Sequence, residues 1–136
     1  MPVRVLLSSR VMAESDPRQL TGKQGESLAR QELERRGYAI LDTGFRTRYG
    51  EIDIIARHGP TLVFVEVRTR NARDCGTAAE SVTPRKQWKV SRAASAYLAA
   101  RGGADEPCRF DVVAIDFDAA GTPAITVYES AFDSCY

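Results

Sequence analysis

Two strand-like runs, Gly50-Glu51-Ile52-Asp53-Ile54-Ile55-Ala56 and Leu62-Val63-Phe64-Val65-Glu66-Val67-Arg68, constrain the fold of this chain more than any other feature. The link between them carries Gly59-Pro60, a turn dipeptide, so the runs are expected to form an antiparallel hairpin. With Gly59 and Pro60 as a two-residue loop, Asp53 falls opposite Glu66 and Glu51 opposite Arg68. Directly opposed side chains share a sheet face with Cβ atoms about 4.5–5.5 Å apart, near enough for two carboxylates to grip one divalent cation. A four-residue loop leaves the acids diagonal on that face, and an odd loop puts them on opposite faces.

Both acids stand where packing asks for apolar side chains. An unpaired carboxylate beside a core is costly or takes up a proton. A metal ion is one partner that removes the cost. The alternative is a solvated sheet face on which Arg68 pairs with Glu51 or Glu66. Ile52 and Ile54 make the other face of the Asp53 strand apolar, and Phe64 precedes Glu66 on the acidic face, which favours a site over surface decoration.

With 136 residues the chain suits one domain with its own core, and 43% hydrophobic and 27% charged residues are ordinary for a soluble protein. The net charge of +1 conceals a segregation. From Arg46 to Arg92 there are ten Lys or Arg against five Asp or Glu, and three of those acids are Glu51, Asp53 and Glu66. A basic middle around an acidic spot is a field that attracts polyanions. Cys75, Cys108 and Cys135 are odd in number and lack metal-ligand spacing, so free thiols in a reducing cytoplasm are expected. The Val5-Leu6-Leu7 run is too short for a signal peptide or membrane span. No membrane association is expected.

Residues 1–19 lack periodicity and read as a flexible arm, leaving residues 20–136 as the single domain. Thr21-Gly22-Lys23-Gln24 reads as a capping box opening a helix that Gly37 ends. Its apolar stripe is Gly25, Leu28, Ala29 and Leu33, with Glu26 on the margin and Gly22, Gly25 and Ala29 permitting close approach to a neighbour. Glu26 then looks toward the face of Asp53, or is a solvated carboxylate near a helix start. Strands follow at Tyr38–Phe45, Glu51–Arg57 and Thr61–Thr69. Thr83 as N-cap and Pro84 at the first helical position open a second helix that stops at Gly102-Gly103. Strands at Arg109–Phe117 and Ala124–Tyr128 complete an α/β domain with a central mixed five-stranded sheet flanked by helices.

In the second helix Val90, Ala93, Ala94, Tyr97 and Leu98 recur at helical spacing and face the core. Lys86, one turn before Val90, lies on that side and can reach the carboxylates. Trp88 falls on the opposite side among Arg85, Lys89 and Arg92. An outward tryptophan among cations suits a base or ribose with phosphates nearby, a covering loop, or a homodimer face.

Taken together, Gly25-Glu26 on a helix, Gly50-Glu51-Ile52-Asp53, Phe64-Val65-Glu66-Val67-Arg68-Thr69-Arg70, Ser81-Val82-Thr83 with Lys86, and Arg109-Phe110-Asp111-Val112-Val113 resemble the small bacterial YraN-like family. That family is grouped with the PD-(D/E)xK nuclease superfamily and is similar to archaeal Holliday junction resolvases. The resemblance implies a restriction-endonuclease-like fold and Mg2+- or Mn2+-dependent cleavage of structured or branched DNA. It makes Asp53 the first metal-binding carboxylate, Glu66 the acid of the E-x-K element and Glu26 the accessory helix acid, with the Val67 carbonyl a further ligand. Arg68 stands where the superfamily has lysine, a departure that matters because arginine does not give up its proton. Three outcomes stay open: Lys86 supplies the amine, metal-bound hydroxide suffices while Arg68 offsets charge, or the protein binds without cutting. A structural or protein-interaction role is the remaining class.

Overall fold

In chain order the elements are β1 (Arg4–Leu6), α1 (Pro17–Arg35), β2 (Ala39–Arg46), β3 (Glu51–His58), β4 (Thr61–Asn71), α2 (Pro84–Ala100), β5 (Cys108–Phe117) and β6 (Pro123–Phe132). They come from a computed structural model describing residues 4–6, 17–71, 76–78, 80–102 and 105–133. The strands form one mixed sheet in the order β1-β6-β5-β4-β3-β2. The five expected strands are all present, and β1 adds a short sixth at the edge, where Arg4–Leu6 pair antiparallel with Ala124–Thr126. Those three residues are therefore paired rather than loose.

The hairpin has the register that its turn dictates. Pairs run from His58↔Thr61 through Arg57↔Leu62, Ala56↔Val63 and Ile55↔Phe64 to Ile54↔Val65, so Gly59 and Pro60 are the two-residue loop. Gly59 has φ +60°, the left-handed backbone that lets a two-residue turn match the twist of its strands. β4 then crosses over through α2 to β5, which lies parallel to it from Leu62↔Cys108 to Asn71↔Phe117. Flanked by β4 and β6, β5 is buried along most of its length, as its nearly continuous apolar sequence demands.

The helices cover opposite faces. Ala29 and Leu33 of α1 pack with Ile54, Ala56, Val63, Val65, Val113 and Ile115. On the other face Val90, Ala93 and Ala94 of α2 pack with Ile52, Ile55, Leu62 and Phe64, and Tyr97 and Leu98 are partly buried against them. Each fully buried Leu, Ile or Phe contributes roughly 1.5–3 kcal/mol, so these two layers are the main source of stability.

Helix ends follow local chemistry. Thr83 is the N-cap of α2, its Oγ1 accepting the Lys86 amide at 3.2 Å, with Pro84 at the first helical position. Helix α1 starts at Pro17, not at Thr21, because proline is itself favoured in the first turn. Close approach on α1 occurs at Gly25, where a Cβ would collide with Thr69 Oγ1 of β4, and at Ala29, fully buried against the sheet. Gly22 faces open space instead. Strand β6 runs on past Tyr128 to Phe132, through Ser130 at φ +51°. Among the described residues no helix is long and apolar enough to cross a membrane. Cys108 is an exposed free thiol, while Cys75 and Cys135 lie outside the described residues.

Candidate active site

The β3–β4 ladder ends one step short of the two acids. Beyond Ile54↔Val65, Asp53 pairs through its side chain: the Val67 amide donates to Asp53 Oδ2 at 2.8 Å. Strict alternation also fails there, since Ile52 belongs to the α2-side core and Ile54 to the α1-side core. Ile52 and Ile54 thus do not share a face, and Asp53 occupies the fork where β3 leaves β4. A residue in an extended strand directs its N–H and C=O to the same edge, so the Val67 carbonyl faces this fork as well.

Glu66 comes from β4 into the space under α2, with only 3% of its side chain exposed. Lys86 reaches down from the first turn of α2, placing Nζ 3.3 Å from Glu66 Oε2. The carboxyl of Asp53 is pushed up to about 7, first by burial and then by its hydrogen bond to Glu66 and that group's charge. The Val67 amide and the Lys86 ammonium act the other way and do not overcome these effects. Burial beside Glu66 therefore favours the protonated form of the Asp53 carboxyl far above the usual carboxylate range.

Glu26 faces the same region from α1. A groove of about 500 Å³ between α1 and the sheet is lined by Lys23, Glu26, Ser27, Arg30, Thr43 and Asp53 among others. Burial and the charges of Asp53 and Glu51 raise the proton affinity of Glu26. Among the described residues no three of His, Cys, Asp and Glu converge closely enough to cage a metal ion. The donors that fit a hard divalent cation are the Asp53 and Glu66 carboxylates and the Val67 carbonyl, an all-oxygen set whose acids need a counter-charge. Glu26 adds negative charge to the approach.

Arg68 is half-buried and donates from Nε to Ser81 Oγ at 3.1 Å, and Ser81 in turn donates to the Ala78 carbonyl at 2.6 Å. It ties β4 to the segment leading into α2. Glu51 pairs instead with Arg46 across β2 and β3, Nε to Oε2 at 3.7 Å.

Trp88 is 43% exposed, and of the three cations around it Arg85 is exposed while Lys89 and Arg92 are half-buried. Sequence reasoning missed their neighbour Tyr49. Its ring lies edge-on to Trp88 with centroids 6.1 Å apart. Arg48 and Arg92 both donate to its hydroxyl, at 2.8 and 3.1 Å. These bonds hold the Tyr49 hydroxyl below its ordinary pKa. The signal was Thr47-Arg48-Tyr49-Gly50 just before Glu51: an aromatic beside arginine in a tight turn, with Thr47 Oγ1 accepting the Tyr49 amide at 3.0 Å.

A second polar cluster lies at the hairpin end of the sheet. Arg109 grips the fully buried Asp111 with Nε to Oδ1 at 2.9 Å and Nη2 to Oδ2 at 3.0 Å. Tyr38 donates to Asp111 Oδ2 at 2.9 Å and stacks on His58 with centroids 4.1 Å apart. Arg109 also donates to His58 Nδ1 at 2.9 Å, and the Ser130 amide donates to Asp111 Oδ1 at 3.0 Å. Burial, followed by the Asp111 charge, raises the Tyr38 hydroxyl well above its ordinary value. Both Asp111 oxygens are satisfied, so this cluster fastens β2, β3, β5 and β6 together.

The profile of a family described only as the uncharacterised protein family UPF0102 matches residues 25–115, which include Glu26, Asp53, Glu66 and Lys86. A UPF0102 protein of Geotalea uraniireducens is 48% identical over 115 residues, covering 85% of this chain and 91% of that relative. A UPF0102 protein of Geobacter sulfurreducens is 46% identical over 117 residues, 86% of this chain and 91% of the relative. One from Anaeromyxobacter dehalogenans is 43% identical over 120 residues, 88% and 89% of the two chains. With the profile spanning most of the domain and identity near half across the relatives' length, the chain is a member of the UPF0102 family.

Proposed function

We propose that this protein is a Mg2+- or Mn2+-dependent nuclease of the PD-(D/E)xK type that hydrolyses phosphodiesters in structured or branched DNA. One observation carries the reading: Asp53 and the buried Glu66 meet where β3 leaves β4, and burial with the neighbouring Glu66 pushes the Asp53 carboxyl up to about 7, a cost that a divalent cation would relieve. Such an ion, when bound, supplies a more acidic water and neutralises charge on the scissile phosphate. Asp53 and Glu66, with the Val67 carbonyl, would hold it in the fork between β3 and β4. Lys86, beside Glu66, is the amine placed to donate to a phosphate or leaving oxygen. Arg68 keeps its proton, so its role is to offset charge and to anchor the segment before α2.

The test is incubation of purified protein with duplex, flap and four-way-junction DNA in Mn2+ or in chelator. Cleavage that needs the metal and disappears in both Asp53→Ala and Glu66→Ala is the expected result. Absence of cleavage on every substrate, with the protein folded, refutes it.

The Lys86–Glu66 contact favours a second reading, because an ammonium already balances one carboxylate without any metal. On that reading the protein binds DNA and does not turn it over. Salt-dependent binding without cleavage in Mn2+ distinguishes it.

A further inference from the structure

We propose that Trp88, propped by Tyr49 and flanked by Arg48 and Arg92, is a stacking site for an unpaired nucleobase, which makes nucleic acid with single-stranded nucleotides the favoured ligand of this face. The proposal joins two segments distant in sequence, the turn before β3 and the first half of α2. Large apolar side chains are costly to leave in water, and among the described residues only Leu41 and Trp88 do so at 43% exposure. Trp88 differs in being surrounded by charge. Arg92 Cζ lies 5.8 Å from its ring centroid and 4.7 Å from that of Tyr49, and Arg48 Cζ lies 5.0 Å from the Tyr49 centroid.

Tyr49 fixes this arrangement. Its single hydroxyl accepts from both arginines, so two guanidiniums converge on one point while the ring lies perpendicular to Trp88. Side chains that are already ordered lose little entropy on binding. An exposed indole beside held guanidiniums matches a base with its neighbouring phosphates: the ring takes the base face and the arginines take the anions. A duplex hides its base faces in the stack, so it can offer this site phosphates alone. Lys89, whose Cβ packs toward Gly50, and Arg85 extend the cationic rim.

Tyr49 lies in the turn that leads into β3, four residues before Asp53, and Trp88 is two residues after Lys86 on α2, so the stacking site is adjacent in sequence to residues of the carboxylate site. The stacking does not depend on the nuclease reading.

Trp88 is the chain's single tryptophan, so its emission reports directly on this face. The protein is titrated in chelator with a mixed-sequence single-stranded oligonucleotide, as DNA and as RNA, and with the DNA duplex of the same length. Expected is quenching of Trp88 by one or both single strands, with weaker quenching by the duplex. Trp88→Ala should weaken single-strand binding, measured by anisotropy of a labelled oligonucleotide, roughly 5- to 150-fold and duplex binding far less. Trp88→Phe should restore most of the loss. Arg48→Gln should weaken both ligands and flatten the salt dependence of each. The proposal is overturned if single strands leave the emission unchanged, or if Trp88→Ala weakens single strand and duplex equally. It is overturned equally if Trp88→Ala abolishes self-association in sedimentation while oligonucleotide binding persists. Because no metal or turnover enters, stacking can fail while Asp53-dependent cleavage stands, and the reverse.

Discussion

Replacing Asp53 by asparagine should stabilise the protein, and more so as pH rises. The carboxyl ordinarily titrates at 3.8 and is held at about 7 in the fold. Ionising it against that preference costs at most about 4 kcal/mol, at 1.36 kcal/mol per pH unit. Glu66 shares the repulsion and Lys86 offsets part of it, so about 2 kcal/mol is the expected gain above neutrality. The sign follows from linkage: a pKa raised by folding contributes stability that is complete below 3.8 and is lost as pH rises through about 7. Asparagine escapes this loss. Its Oδ1 still accepts the Val67 amide and its Nδ2 can donate to Glu66, replacing repulsion with a hydrogen bond. Thermal melts at about pH 8 should place Asp53→Asn roughly 6–10 °C above wild type for a domain of this size, with the gap closing by about pH 4. Mn2+ at ten times its dissociation constant should raise wild type by about 1.4 kcal/mol and leave Asp53→Asn unmoved. A gap of the same size at both pH values would refute the coupled pair. Equal shifts of both proteins by Mn2+ would refute its use as a cation site.

Three further outcomes test other parts of the structure. Arg68→Lys should keep or raise cleavage and Arg68→Ala should lose it, in single-turnover assays on the preferred junction or flap; equal rates for all three proteins would remove Arg68 from the chemistry. Gly25→Ala should cost about 1–3 kcal/mol in urea melts by driving a methyl into Thr69, and Thr69→Ala should recover part of that loss in the double mutant. Asp111→Asn should cost about 1.5–3 kcal/mol, because it removes the carboxylate that accepts two bonds from the Arg109 guanidinium and leaves Glu129 at 3.9 Å as the weaker counter-charge, while oligonucleotide binding by the folded fraction stays at the wild-type value.

The hairpin was legible because parity is unforgiving: a Gly59-Pro60 loop admits one register, and His58↔Thr61 to Ile54↔Val65 obey it. The start of α2 was legible for a similar reason, since Thr83 and Pro84 are cap chemistry independent of tertiary context. What the residues could not disclose is where a ladder stops. The divergence at Asp53 depends on the Val67 amide choosing a carboxylate over a backbone carbonyl, a competition invisible to alternation. Strand β1 was missed because three residues carry too little periodicity, and the far end of β6 because Glu129-Ser130 looks like a loop until the Ser130 amide finds Asp111. Tyr49 was overlooked because its partners, Arg48 and Arg92, become a pair only when α2 folds onto the sheet.

The two rims of the sheet are guarded by unlike devices. At one rim β2 carries a register shift between Ile40 and Asp42 and a left-handed Gly44, distortions that spoil it as a template for another chain. At the other, β6 has no such irregularity opposite Arg4–Leu6, and only those three residues occupy its hydrogen-bonding groups over Ala124–Thr126. The cover comes from more than a hundred residues away in sequence, so its pairing carries a large loop-closure cost. A chain lacking Arg4–Leu6 would keep its carboxylate fork and its core while baring the Ala124–Thr126 edge of β6. Oligomers or fibres growing through β6, not loss of chemistry, are then the expected cost of trimming it.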